Sequence, residues 1–127
     1  METRRKVVVI AEDEALVRML AMEELSDAGF EVIEASCADE ALSVIKSKAE
    51  EIHVLFTDIH MPGSTNGLEL AHHIRNNWPW IGVLIASGQA NPSTEELPLG
   101  ARFLRKPYDP AHAVKHIQEL ACQADRN

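Results

Sequence analysis

Five side chains from four separate stretches of the sequence carry groups that belong together chemically: Glu12, Asp13, Asp58, Ser87 and Lys106. Each follows a short apolar run. "KVVVIA" leads into Glu12 and Asp13, "IHVLFT" into Asp58, "IGVLIA" into Ser87 and "ARFLR" into Lys106. Carboxylates gathered in one place repel and raise one another's pKa values unless a cation joins them. Hard oxygen ligands without His or Cys suit Mg²⁺, with Mn²⁺ or Ca²⁺ able to stand in its place. Mg²⁺ usually takes one or two carboxylates and keeps waters, which leaves room for a phosphate oxygen. Lys106 and Ser87 could hold the remaining phosphoryl oxygens by charge and hydrogen bond. Asp58, close to both, could then act as a nucleophile and form an aspartyl-phosphate, with the cation and Lys106 neutralising charge on the transferring group.

Taken singly, each residue has a plainer role. An acidic pair such as Glu12-Asp13 is commonly helix N-terminal charge. Ser-Gly after a strand is usually a turn, and Lys-Pro usually a strand end with a solvated ammonium. The inference rests on their falling together at the ends of successive strands.

The elements that would position them alternate along the chain. "KVVVIA", "FEVIEA", "IHVLFT", "IGVLIAS" and "ARFLR" read as five strands, the first a β-branched run of the kind buried on both faces. "EALVRMLAMEELSDAG" has helical composition, with Leu16, Leu20 and Leu25 at helical spacing and Gly29 as its stop. "CADEALSVIKSK" reads as a helix with Ala41, Leu42 and Ile45 inward, and "GLELAHHIRNNW" as a helix closed by Pro79. "NPSTEELPLG" has two prolines and admits only a short helix, and "DPAHAVKHIQELACQA" begins under an Asp109 cap with Pro110 in its first turn. Five strands alternating with five helices predict an α/β fold: a parallel sheet covered on both faces. Such sheets bind ligands at the carboxyl ends of their strands, where the five residues stand.

The composition is that of one domain. The chain has 127 residues, 46% hydrophobic and 25% charged, with a net charge of −8. That acidity argues against nucleic acid or anionic membrane as the main partner. Cys37 and Cys122 lack metal or disulfide-framework spacing. With no signal peptide and no apolar stretch near the roughly 20 residues of a span, a cytoplasmic protein is expected.

"VVVIAEDEALVR", "VLFTDIHMPG", "VLIASG" and "ARFLRKPY" together resemble the receiver domain of bacterial two-component response regulators, over nearly the whole chain. The resemblance implies a flavodoxin-like doubly wound five-stranded sheet, order 2-1-3-4-5. It implies a signalling phosphoacceptor rather than an enzyme in the ordinary sense, with self-phosphorylation and autodephosphorylation chemistry only. Asp58 would take a phosphoryl group from a histidine kinase or histidine phosphotransfer protein. Glu12, Asp13, Asp58 and the backbone carbonyl of His60 would hold Mg²⁺. Ser87 would shift toward the phosphoryl group, Lys106 would pair with it, and Phe103 would change rotamer on activation. A cis bond would join Lys106 to Pro107. Output would be contact with a downstream protein or phosphorelay, from a monomer or weak dimer. "METRRK" looks like a natural start, so a stand-alone receiver over 1–127 with no effector domain is expected.

There are departures from the family pattern. Glu12 replaces the commoner Asp and Ser87 the commoner Thr, and the loop "GSTN" between Pro62 and Gly67 is one residue longer. The fourth helix is short and proline-bounded. His72, His73, His112 and His116 are expected on the surface, Trp78 and Trp80 at the core edge, and Tyr108 either packed or exposed to partners. A haloacid-dehalogenase-like phosphatase would need an Asp where His60 stands. A flavin carrier would need a hydroxyl- and glycine-rich loop where "AEDEA" stands.

Overall fold

The computed structural model describes residues 5–63, 65–88 and 96–124. Its elements run β1 (Val7–Ala11), α1 (Ala15–Asp27), β2 (Glu31–Ala35), α2 (Ala38–Lys48), β3 (Ile52–Asp58), α3 (Gly67–Asn77), β4 (Gly82–Ser87), β5 (Arg102–Arg105) and α4 (Pro110–Ala124). The five strands form one sheet of order β2-β1-β3-β4-β5, and every pairing is parallel.

Period-2 alternation divides β1 between two cores. Val7, Val9 and Ala11 face the layer that holds Ala41, Ile45, Leu70 and Ile74 of α2 and α3. Val8 and Ile10 face the layer that holds Leu25 of α1 and Ile117 of α4. Burial on both faces is why β1, β3 and β4 read as unbroken apolar runs.

Of the five helices expected, the described residues form four α-helices. Residues 91–95 of "NPSTEELPLG" lie outside the described residues, and 96–100 form turns. Pro98 has no N–H to donate, and Gly100 takes φ +82, outside helical space. In α1, Leu16 and Leu20 lie 70% and 51% exposed whereas Leu25 is 1% exposed. The helix therefore packs through Ala21 and Leu25, and its N-terminal leucines face solvent.

The stops act where their chemistry requires. Gly29 follows α1 with φ +95. Asp109 Oδ1 accepts from the Ala111 N–H at 2.9 Å and opens α4. Asn66 and Glu69 form a reciprocal capping box at α3.

Candidate functional site

Register brings the candidate residues together. Ala11 pairs with Thr57, so Glu12 leaves β1 beside Asp58. Asp58 pairs with Ala86, next to Ser87, and Ser87 pairs with Arg105, next to Lys106. Backbone bonds carry the ladder past the strand ends: Glu12 N–H to the Ala35 carbonyl at 3.0 Å, Ile59 N–H to Ala86 at 3.1 Å and Lys106 N–H to Ser87 at 3.0 Å. The groups are thus fixed by sheet geometry rather than by free loops.

Lys106 Nζ lies at the centre. It is 2.5 Å from Glu12 Oε1 and 3.0 Å from Asp58 Oδ2, with Glu14 Oε1 at 3.8 Å. The second oxygen of Glu12 accepts from the Glu14 N–H at 3.1 Å. Asp58 Oδ1 accepts from its neighbour's amide, Ile59 N–H, at 2.8 Å. Glu12, Asp58 and Ser87 are buried; Asp13 and His60 are exposed. Asp13, Asp58, His60, Ser87 and Lys106 all line one open cleft of about 340 Å³.

Burial pushes the Glu12 carboxyl above its ordinary range, and the bonds from Lys106 and the Glu14 amide draw it back only in part. Burial disfavours the Lys106 ammonium, but hydrogen bonds to Glu12 and Asp58 outweigh it and hold the proton above the usual lysine range. Tyr108 roofs the same corner. Its ring meets Phe56 at 5.6 Å between centroids, and burial, with the nearby Glu12 charge, pushes its phenol up to about 12.

The donor set fits a hard dication. One ligand atom from each of Glu12, Asp13 and Asp58 can be chosen so that all lie within 4.8 Å of one another, and all are carboxylate oxygens, the chemistry Mg²⁺ selects. The His60 side chain is not needed for the set. Phe103 is half-buried against the α2–α3 core and pairs with Ile85 on β4. The Lys106–Pro107 bond is cis. His72, His73 and His112 are exposed, and His116 Nδ1 lies 3.2 Å from Arg102 Nη1. Trp78 packs at the core edge, while Trp80 donates from Nε1 to the Ala49 carbonyl at 3.1 Å. Tyr108 is packed rather than free.

Sequence reasoning missed the residues that shape the site without reacting. A Cβ on Gly67 would lie 1.7 Å from the Asp58 carbonyl oxygen, so α3 can start against the Asp58 backbone only with glycine there. Gly67 N–H closes the long loop onto the Ile59 carbonyl at 2.8 Å. Thr57 Oγ1 donates to the Asp58 carbonyl at 2.9 Å. Arg18 ties α1 down through the Glu12 carbonyl at 2.7 Å and Glu34 at 2.9 Å. Asn66-Gly67 ahead of an apolar-periodic run was the available signal for the α3 start; the Gly67 contact is tertiary and left none.

A doubly wound parallel sheet with a carboxylate cluster and a lysine at its strand ends narrows the class to α/β proteins with an acidic, cation-suited crevice. The chain belongs to the response regulator receiver domain family, whose model matches residues 8–118. Receiver domains of this family are the signalling phosphoacceptors of two-component systems. The chain is 30% identical to chemotaxis protein CheY of Thermotoga maritima over 91% of its own length and 98% of that protein. It is 31% identical to the putative two-component response regulator ARR21 of Arabidopsis thaliana, covering 94% of this chain but 19% of ARR21. Among solved structures, the receiver domain of the hybrid histidine kinase CckA superposes with a TM-score of 0.78 at 30% identity, over 91% of this chain and 98% of that one. A response regulator receiver protein from Sinorhizobium medicae gives 0.88 at 25% identity, over 95% and 98%. The chain thus spans only a fifth or less of some of the larger curated relatives it matches, 19% of ARR21 and 13% of the sensor kinase CckA of Brucella abortus.

Proposed function

We propose that the chain accepts a phosphoryl group on Asp58 from a phosphohistidine of a kinase or phosphotransfer protein, in the cytoplasm, with Mg²⁺ in the crevice. One observation carries this reading: Lys106 Nζ bridges Glu12 and Asp58 at 2.5 and 3.0 Å, within a carboxylate cluster that opens on a cleft. In the transfer, an Asp58 carboxylate oxygen forms its bond to phosphorus as the P–N bond of the phosphohistidine breaks. The electron pair leaves on the imidazole, and the product is a mixed anhydride. Bound Mg²⁺ would supply charge neutralisation for the equatorial oxygens. Glu12, Asp13, Asp58 and the His60 carbonyl are its proposed ligands. Lys106 would pair with a phosphoryl oxygen, Ser87 would donate to another, and Phe103 would follow Ser87 inward as the switch.

A second surface fits the donor protein. Beside Lys106 opens a groove of about 470 Å³ lined by Val17, Leu20, Ala21, Pro107 and Tyr108. Leu16 and Met19 of the same helix α1 are 70% and 61% exposed. A donor helix seated there would bring its imidazole to the cleft.

The test is Mg²⁺-dependent mass gain with a small acyl phosphate such as acetyl phosphate. Wild type should gain a base-labile phosphoryl group, and Asp58→Asn should gain none. Lys106→Ala should still be phosphorylated but lose the conformational response. A base-labile gain persisting in Asp58→Asn overturns the assignment.

A further inference from the structure

The turn that carries Glu12 and Asp13 has no side-chain lock at the start of its helix. Glu14 is the N-cap of α1, yet its side chain makes no capping bond, where Ser, Thr, Asp or Asn would close the turn on itself. Arg18 supplies the hold from one helical turn further on. Its Nη1 donates to the Glu12 carbonyl at 2.7 Å, and its Nε donates to Glu34 Oε1 on β2 at 2.9 Å. The Glu12 N–H is bonded to the Ala35 carbonyl at 3.0 Å, so β2 and Arg18 together hold both polar backbone groups of Glu12. The Arg18 side chain is only 16% exposed, whereas that of Glu34 is 54% exposed on the edge strand. The Glu12 carbonyl and the Asp13 amide belong to one planar peptide unit. Fixing the carbonyl therefore fixes the direction in which the chain leaves for Asp13, the exposed member of the three-carboxylate cluster.

We propose that Arg18 is a positioning residue for the cation crevice: through the Glu12–Asp13 peptide it sets where the Asp13 carboxylate stands, and Glu34 on β2 sets where Arg18 points. The inference rests on the reading that this crevice takes Mg²⁺, and it concerns what holds the exposed ligand in place. Arg18 touches neither the cation nor the phosphoryl group in that reading and acts through the backbone. Its guanidinium is a rigid fork, so the bond at Nε fixes the plane in which Nη1 meets the carbonyl. Without Arg18 the Glu12–Asp13 peptide is free to turn, and Asp13 then leaves the 4.8 Å cluster it forms with Glu12 and Asp58. Outer groups that orient ligands in this way commonly change metal affinity by about ten- to a hundredfold when removed. Coulomb's law acts in the opposite sense, because removing a positive charge from beside an acidic crevice strengthens dication binding. Positioning and bare charge therefore predict effects of opposite sign.

The experiment measures Mg²⁺ affinity by calorimetry, which needs no phosphoryl donor. Arg18→Met should weaken Mg²⁺ binding about tenfold. Arg18→Lys, which keeps the charge but can make only one of the two bonds, should weaken it about threefold. Glu34→Ala should also weaken it about threefold, and should add nothing in the Arg18→Met background. Arg18→Gln serves if the Met variant does not fold, with circular dichroism as the check. Leu25→Ala, a core truncation on the same helix, should lower Tm and leave Mg²⁺ affinity within about twofold of wild type. A second readout needs no metal. The Glu14 amide, now bonded to Glu12 Oε2 at 3.1 Å, should exchange with solvent faster in Arg18→Met, while the Ile59 amide, held by Asp58 Oδ1 at 2.8 Å, keeps its wild-type rate. Unchanged or tighter Mg²⁺ binding in Arg18→Met, or an equal loss in Leu25→Ala, would overturn the positioning role and leave the cation reading standing. No saturable Mg²⁺ binding by wild type at millimolar ion would overturn the cation reading itself.

Discussion

Gly67→Ala is the most informative single methyl group that can be added to this protein. The new Cβ would stand 1.7 Å from the Asp58 carbonyl oxygen, 2.7 Å from its carbon and 2.9 Å from Thr57 Oγ1. Two of these are backbone atoms in the central strand, so no flexible side chain can move aside. The start of α3 must retreat instead. That stretches the Gly67 N–H to Ile59 bond, now 2.8 Å, worth about 1 kcal/mol. It also loosens the Asn66 cap, now 2.8 Å to the Glu69 N–H, worth about 1 kcal/mol. Overpacking adds about 1–3 kcal/mol. Against this, alanine in a helix gains at most about 1 kcal/mol over glycine. Sterics win, and the net loss is about 2–4 kcal/mol, or roughly 8–15 °C in Tm for a domain of this size. Urea unfolding measures it as a lower midpoint at unchanged m-value. Gly29→Ala is the control: its Cβ meets nothing within 4 Å, and only the positive φ is penalised, by about 1 kcal/mol. A Gly67→Ala midpoint at or above wild type would refute the close approach of α3 to Asp58.

Other outcomes follow from burial and charge. Leu25→Ala should cost about 2–5 kcal/mol in urea unfolding, because that side chain is 1% exposed, whereas Leu16→Ala, at 70% exposed, should change stability by less than about 0.5 kcal/mol. The pair Leu16→Glu with Leu20→Glu should leave phosphorylation by acetyl phosphate unchanged and slow transfer from a phosphohistidine protein, measured as initial rates side by side. Absorbance titration should place Tyr108 ionisation at about 12 rather than 10.0. Because its folded-state pKa is raised, the stability it carries is intact below pH 10 and is lost as pH climbs toward 12, by at most roughly 2–3 kcal/mol.

The sheet was legible because β1, β3 and β4 are buried on both faces and so read as unbroken apolar runs, and because Gly29, Pro79 and Asp109 punctuate the helices through local backbone chemistry. The meeting of Glu12, Asp58, Ser87 and Lys106 at one sheet edge was legible for a related reason. Parallel strands of similar length end at one edge, so functional groups that follow successive strands must meet there. Three features were hidden. The outward turn of Leu16 and Leu20 follows from how α1 crosses the sheet, which helical spacing does not encode. The Gly67 contact joins atoms that only the fold brings together. The direct bond from Glu12 to Lys106 depends on side-chain reach across two strand ends, although the Glu-for-Asp exchange was visible as a residue type.

The central claim is that Asp58 forms the acyl phosphate, and chemical trapping of the modified residue tests it most directly. After reaction with acetyl phosphate and Mg²⁺, borohydride reduces an aspartyl-phosphate to homoserine, and peptide mass spectrometry locates it. The account predicts homoserine at position 58, absent when Mg²⁺ is chelated. Homoserine at position 13, or a phosphoryl group on a histidine with position 58 unmodified, would contradict it.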